Sequence, residues 1–184
     1  MSELFAAWHS GRGPVTVEQL VVARERRRAR QGRMLRDWNG PVVELQLVTP
    51  GPVKWWSWSE QVFDAAQALL RQGFGERGWA VREWVNVRPP TGAEAQVCVD
   101  ANPWAIKRMV LALEESHPLG RLWSMDVVTR EGQLNRADIG LRPRRCLVCP
   151  GEAAICTARD AHPDKVLLGE VERILTRASI PVPA

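Results

Sequence analysis

Val42-Val43-Glu44-Leu45-Gln46-Leu47-Val48 sets Val43, Leu45 and Leu47 against Glu44 and Gln46 in strict alternation. A period of two over that length marks a strand with one buried face. Reading outward from it gives the fold. Upstream, about Thr16 to Asp37 lacks proline, and Thr16 and Gln19 stand at capping-box spacing, so a helix is predicted. Seven arginines fall between Arg24 and Arg36, and spacings such as Arg26–Arg30–Arg33 gather several on one face.

Downstream, Thr49-Pro50-Gly51-Pro52 reads as a stiff turn, because its prolines exclude ladder and helix alike. Ser57 and Glu60 repeat the capping spacing ahead of a helical stripe of Val62, Phe63, Ala66, Leu69 and Leu70, which Gly73 is expected to end. Strands are predicted over Trp79–Val87, with Val81, Val85 and Val87 on one side, and over Glu94–Asp100, with Ala95, Val97 and Val99. Arg88–Gly92 joins them as a hairpin connection would. Asn102-Pro103 caps a helix carrying Ile106, Met109, Val110 and Leu113, and a further strand spans Arg121–Val128 before a turn at Glu131-Gly132.

Strand, helix, strand, strand, helix, strand is the order of a ferredoxin-like βαββαβ core. The fold class is therefore α+β, a mostly antiparallel sheet with two helices on one face. An N-terminal helix precedes the core. From about Leu141 a cysteine-containing segment and a helix near Asp164–Ala178 pack against it. With 184 residues, 45% hydrophobic and 25% charged, the chain suits one domain over 1–184, its core at about 14–140 and the C-terminal segment at about 141–178.

Apolar runs such as Met109–Leu113 are far shorter than a membrane span, and Met1–Gly13 lacks the apolar centre of a signal peptide. A soluble, cytoplasmic protein is expected. Lysine occurs only at 54, 107 and 165, so 22 of the 25 basic residues are arginine. Arginine suits phosphate and carboxylate partners, although an arginine-favouring genome gives the same global count.

The run His117-Pro118-Leu119-Gly120-Arg121-Leu122-Trp123-Ser124-Met125-Asp126-Val127 is the richest in chemistry. On a strand, Leu122, Ser124, Asp126 and Val128 face one way and Trp123, Met125 and Val127 the other. Asp126 there is suited to holding Mg²⁺, with Arg121 meeting a phosphate, or it is an exposed aspartate on a solvent-facing strand. Cys146, Cys149, Cys156 and His162 form a C-x₂-C-x₆-C-x₅-H set that would satisfy a tetrahedral zinc site. The alternative, free thiols with Cys149, Ala153 and Cys156 facing the core from one helical turn, is preferred, because the second half of the spacing matches no common finger. The arginine helix reads as a nucleic-acid or phosphate face or as a solvated surface, and Trp55, Trp56 and Trp58 as base-stacking or anchoring groups.

The His117–Val127 run resembles the signature of the citrate lyase holo-acyl-carrier-protein synthase family, the apo-citrate lyase phosphoribosyl-dephospho-CoA transferases. Leu20-Val21-Val22 with Arg24, Arg27 and Arg30 is similar to the family's opening helix. Pro50-Gly51-Pro52-Val53-Lys54 is similar to its turn and lysine, and Pro143-Arg144-Arg145-Cys146-Leu147 with Cys149, Ala153, Cys156 and His162 to its cysteine-rich segment. The likeness spans roughly residues 14–175.

The resemblance implies transfer from 2′-(5″-triphosphoribosyl)-3′-dephospho-CoA to a serine of the apo acyl-carrier (gamma) subunit of citrate lyase, with release of diphosphate. It implies catalytic roles for Asp126 (Mg²⁺ ligand or base), Arg121 and His117. It implies substrate contacts by Arg24, Arg27, Arg30, Lys54, Lys107, Gly120, Arg144, Arg145 and His162. The family usually reads Asp-x-Asp-Val where this chain has Ser124-Met125-Asp126-Val127, and an acidic position of the preceding helix is Ala112. Either Glu114, Glu115 or Asp138 compensates, or the protein is an impaired relative that only binds carrier or donor. A basic nucleic-acid module is the remaining class, and no known motif of that kind is present.

Overall fold

The computed structural model describes residues 12–180, so the N-terminal stretch read as lacking a signal peptide lies, up to residue 11, outside them. The helices are α1 (Val17–Trp38), α2 (Ser59–Glu76), α3 (Pro103–Ser116), α4 (Ala153–Ala158) and α5 (Asp164–Arg177). The strands are β1 (Val42–Leu47), β2 (Ala80–Val87), β3 (Glu94–Asp100), β4 (Trp123–Thr129) and β5 (Gly132–Leu134). They form one antiparallel sheet ordered β2-β3-β1-β4-β5.

Register follows from the alternation in β1. Leu45 opposes Ala95 and Met125, while Glu44 opposes Gln96 and Asp126. Val43, Leu45, Ala95, Val97, Val99, Trp123, Met125 and Val127 therefore make one apolar face. Phe63 and Leu70 of α2, Ile106 and Val110 of α3, and Val171 and Leu175 of α5 bury it, all below 2% exposure. Each such side chain contributes roughly 1.5–3 kcal/mol of transfer free energy. The opposite face is covered by α1 and is mostly polar. Met34, Val42 and Cys98 form a small apolar cluster there. Beside it Arg27 and Arg30 pair with Glu94, and Gln96 Nε2 donates to the Arg27 carbonyl at 3.0 Å and to Glu44 at 2.5 Å.

The capping box at Thr16 forms as expected, and Asn102 Oδ1 accepts the N–H groups of Trp104 and Ala105. The predicted box at Ser57 does not form. That helix begins one turn-position later, and Ser59 Oγ instead accepts the Trp56 N–H at 2.9 Å. Gly73 does not end α2: a Cβ there would lie 2.7 Å from Met109 Sδ, so the glycine serves close packing against α3, and the helix continues to Glu76. A bulge between Val81 and Glu83 breaks the expected valine side of β2. Past it, Trp84 and Asn86 oppose Val97 and Ala95 on the apolar face, while Val85 and Val87 oppose Gln96 and Glu94. Leu122 lies in a 3₁₀ turn (Gly120–Leu122) and is buried in the core, because β4 begins at Trp123. Trp55, Trp56 and Trp58 are buried in the same core and anchor their loop.

Gly120 is enclosed by the end of α3: a Cβ would lie 2.3 Å from the Glu114 carbonyl oxygen and 2.7 Å from that of Leu113. These are backbone atoms and cannot swing aside. Gly120→Ala is expected to destabilise the fold by about 3 kcal/mol, the upper part of the overpacking range. A fall in the midpoint of urea unfolding at constant slope checks this.

Candidate active site

The turn after β1, Lys54, the Arg144–Leu147 run and the segment from Ala153 to Asp164 line one cleft of about 350 Å³. Gly51 lets the turn reach it. Its φ of 75° is left-handed, and a Cβ would sit 2.9 Å from Asp164 Oδ2 in the first turn of α5. Behind the turn Lys54 Nζ donates to the Thr49 carbonyl at 2.8 Å. Burial lowers its pKa, with Asp164 pulling the other way. Lys54, Arg144 and Arg145 give the cleft its positive lining, and His162 lies on the same wall.

Arg121 and Arg144 clasp the signature run to the cysteine segment. Arg144 donates to the carbonyls of Arg121 and Trp123, both at 2.7 Å. Arg121 Nη2 donates in return to the carbonyls of Arg145 (3.0 Å) and Cys146 (2.7 Å). Buried Glu114 completes the junction: it accepts the Met125 N–H at 2.7 Å on the unpaired edge of β4 and pairs with Arg136 (2.7 Å) and Arg144 (3.3 Å).

Asp126 projects from the polar face of the sheet, away from the hydrophobic core. Its Oδ1 accepts from Gln133 Nε2 at 2.8 Å, and Ser124 Oγ lies 3.4 Å from Oδ2. Directly across the β1–β4 ladder stands Glu44. Burial raises the Glu44 pKa against the opposing effect of its Gln96 hydrogen bond and of Arg27, and the Asp126 charge raises it further. Lys107 is also buried. Desolvation lowers its pKa, and the charges of Asp126 and Glu114 raise it.

Lys54, Arg144, Arg145 and His162 are thus brought together, with Arg121 against the same segment. Asp126 faces Glu44 across the ladder, and its charge acts on buried Lys107. Arg27 and Arg30 are committed to Glu94, and Arg24 is exposed on α1 away from this cleft. Gly120 is packed on α3. His117 closes that helix: its Nδ1 accepts the Leu119 N–H at 3.1 Å and its ring stacks on Trp123 at 4.6 Å. Glu115 pairs with Arg136 at 2.6 Å and Asp138 accepts the Asn135 N–H at 2.7 Å, so the carboxylate facing Asp126 is Glu44 instead. Sequence reasoning missed Glu44 as a site residue, although its place on the polar side of β1 was legible. Only the pairing of β1 with β4 brings it to Asp126.

Cys149 precedes α4 instead of lying on it, which removes the core-facing helical turn offered for Cys149, Ala153 and Cys156. Cys146 and Cys156 also line the cleft. The ligand atoms of Cys146, Cys149, Cys156 and His162 all lie within 4.8 Å of one another.

A sequence model of the apo-citrate lyase phosphoribosyl-dephospho-CoA transferase family matches residues 15–178. The chain belongs to this family. It is 36% identical over 172 residues to the transferase of that name from Escherichia coli O1:K1 / APEC, covering 93% of this chain and 92% of the relative. It is equally similar, at 36% over 162 residues and 88% of each chain, to that of Shigella boydii serotype 18 (strain CDC 3083-94 / BS512). The match takes in the proline-glycine turn, the clasped signature run and the cysteine segment, so this transferase family's sequence spans every wall of the cleft.

Burial holds the His117 pKa below its ordinary 6.5. An unfolded chain then binds the proton more readily, so this contribution to stability is present above pH 6.5 and is lost as pH falls through the folded value. Thermal melts from pH 7.5 to 5 should show a decline that His117→Asn flattens.

Proposed function

We propose that this chain transfers the phosphoribosyl-dephospho-CoA group from 2′-(5″-triphosphoribosyl)-3′-dephospho-CoA to a serine of the apo acyl-carrier (gamma) subunit of citrate lyase. The observation that carries the reading is the meeting of two separated family motifs, the proline-glycine turn with Lys54 and the cysteine segment, around one cationic cleft, with the signature run clasped to that segment through Arg121 and Arg144. Lys54 and Arg145 bind the donor's phosphates, Arg145 as a planar fork and Lys54 as a point charge, and Arg144, held by Glu114 and the Arg121 and Trp123 carbonyls, positions the wall and adds its charge. The serine oxygen bonds to the α-phosphorus as the bond from that phosphorus to the diphosphate breaks. Diphosphate leaves with the electron pair, and the hydroxyl proton passes to a carboxylate of the Asp126–Glu44 pair. A phosphodiester results.

The donor set of Asp126, Glu44 and the Ser124 hydroxyl is all oxygen and suits Mg²⁺. When bound there, Mg²⁺ supplies charge neutralisation for the triphosphate. Glu44 opposite Asp126 preserves two facing carboxylates where the family usually has Asp-x-Asp, which favours an active enzyme over a binder that has lost its chemistry. Burial of Trp55, Trp56 and Trp58 removes the stacking surface a nucleic-acid module would use.

With β5 set aside, the order β4-β1-β3-β2 and the packing of α2 and α3 on one sheet face support a ferredoxin-like core. Inclusion of α5 in the main hydrophobic cluster supports one transferase domain across the chain, with the cysteine-containing segment as its C-terminal part. No described helix is long and apolar enough to cross a membrane, which accords with work in the cytoplasm beside citrate lyase.

Intact-mass spectrometry of the apo carrier, incubated with donor, Mg²⁺ and this protein, tests the proposal. The carrier should gain the mass of the phosphoribosyl-dephospho-CoA group. Asp126→Asn should slow transfer by roughly 10²–10³-fold, the effect of removing one transition-state charge contact. Lys54→Met should act mainly by raising KM for the donor. Ser124→Asp should leave the rate within a few-fold. A large gain from that change would favour the impaired-relative reading, and no mass shift with wild type, beside a working relative, would refute the activity.

A further inference from the structure

We infer that Cys146, Cys149, Cys156 and His162 bind one zinc ion, a structural site that fixes the wall of the cleft. The inference stands apart from the proposed reaction, since it rests on the ligands alone. Their four donor atoms come from a loop, a short helix and the turn beyond it, yet all lie within 4.8 Å of one another. Zinc–sulfur bonds of about 2.3 Å in a tetrahedron separate two sulfurs by about 3.8 Å. Cys149 Sγ and Cys156 Sγ are 3.6 Å apart, and all the cysteines are free thiols.

A second observation, independent of the sulfurs, points the same way. His162 Nε2 is buried with no hydrogen-bond partner. Leaving such a group unsatisfied carries its full desolvation penalty. In this position, beside three sulfurs, a metal bond satisfies it. The nearby backbone is arranged to match. Gly151 leaves the ligands room: a Cβ there would lie 3.3 Å from Cys149 Sγ and 3.6 Å from Cys156 Sγ. The loop closes on itself through Cys146 N–H to the Gly151 carbonyl (2.7 Å) and Ala153 N–H to the Arg144 carbonyl (2.8 Å).

Packing explains why a metal is needed. Between residues 141 and 163, Leu147 is the one described side chain packed against the main hydrophobic cluster. A segment with so little apolar burial holds its shape through cross-links, and a soft Cys₃His set selects zinc over hard cations such as Mg²⁺. The site then carries one net negative charge, which the guanidinium groups of Arg121, Arg144 and Arg145 around the segment offset. Zinc at this point locks Arg144 and Arg145 into the cleft wall. It also overrides the spacing argument that favoured free thiols, because the fold, not the sequence interval, brings Cys156 and His162 to the pair.

Elemental analysis of the full chain purified without chelator should give about one zinc per chain, the content of a closed four-ligand site. Replacement by Co²⁺ should give the red d–d bands and near-ultraviolet thiolate charge transfer of a tetrahedral sulfur-rich site. Cys149→Ser should lose most of the bound metal, while Cys98→Ser keeps it. His162→Cys, which retains four ligands, should still bind one ion with a shifted cobalt spectrum, and this covers the case in which Cys149→Ser fails to fold. Metal-free protein that gives no cobalt spectrum, or stoichiometric iron in place of zinc, would overturn the inference.

Discussion

β1 lies between two hydrogen-bonded neighbours and has no free edge, so each of its side chains must point to one face of the sheet or the other. This constraint organises the molecule. Val43 and Leu45 commit one face to the apolar core of α2, α3 and α5, and Glu44 is thereby committed to the other. On that second face the same pleat sets Gln96 and Asp126 on either side of Glu44. A one-residue slip in register would bury Glu44 in the core and expose Leu45, so the core's hydrophobic free energy also fixes the carboxylate pair.

Arginine does two kinds of work here. Arg27 and Arg30 neutralise Glu94 beneath α1, and Arg136 and Arg144 neutralise Glu114 beside β4. Breaking such a pair from one side leaves a buried charge and costs roughly 3–5 kcal/mol. These arginines answer the protein's own carboxylates and carbonyls first, so a high arginine count did not translate into an equally large phosphate surface. Arg145 is exposed and lines the cleft together with Lys54.

Local chemistry was legible where it acts within a few residues: the Thr16 box, the Asn102 cap and the strands β1 and β3 all formed, although α1 buries the second face of both strands, which the alternation of β1 read as open. Errors came where a distant contact decides. Gly73 reads as a helix stop until Met109 is placed against it, and nothing local announces the bulge that turns the valines of β2 away from the core. The site shows the same division. Motif likeness singled out Lys54, Arg144, Arg145 and His162, which the fold gathers on one cleft, whereas the facing of Glu44 and Asp126 emerges only from the strand order. His117 and Gly120, singled out by the same likeness, lie at the end of α3, where the imidazole accepts the Leu119 N–H and the glycine packs on the helix carbonyls.

The bulge in β2 has one more effect. An outermost strand offers unpaired amides and carbonyls to any passing chain, and a straight one invites stacking between molecules. Here the offset interrupts that row after two residues, with Arg82 and Glu83 at the break, and the opposite border, β5, is only three residues long. The row that an incoming strand could pair with is thereby broken on one flank and only three residues long on the other.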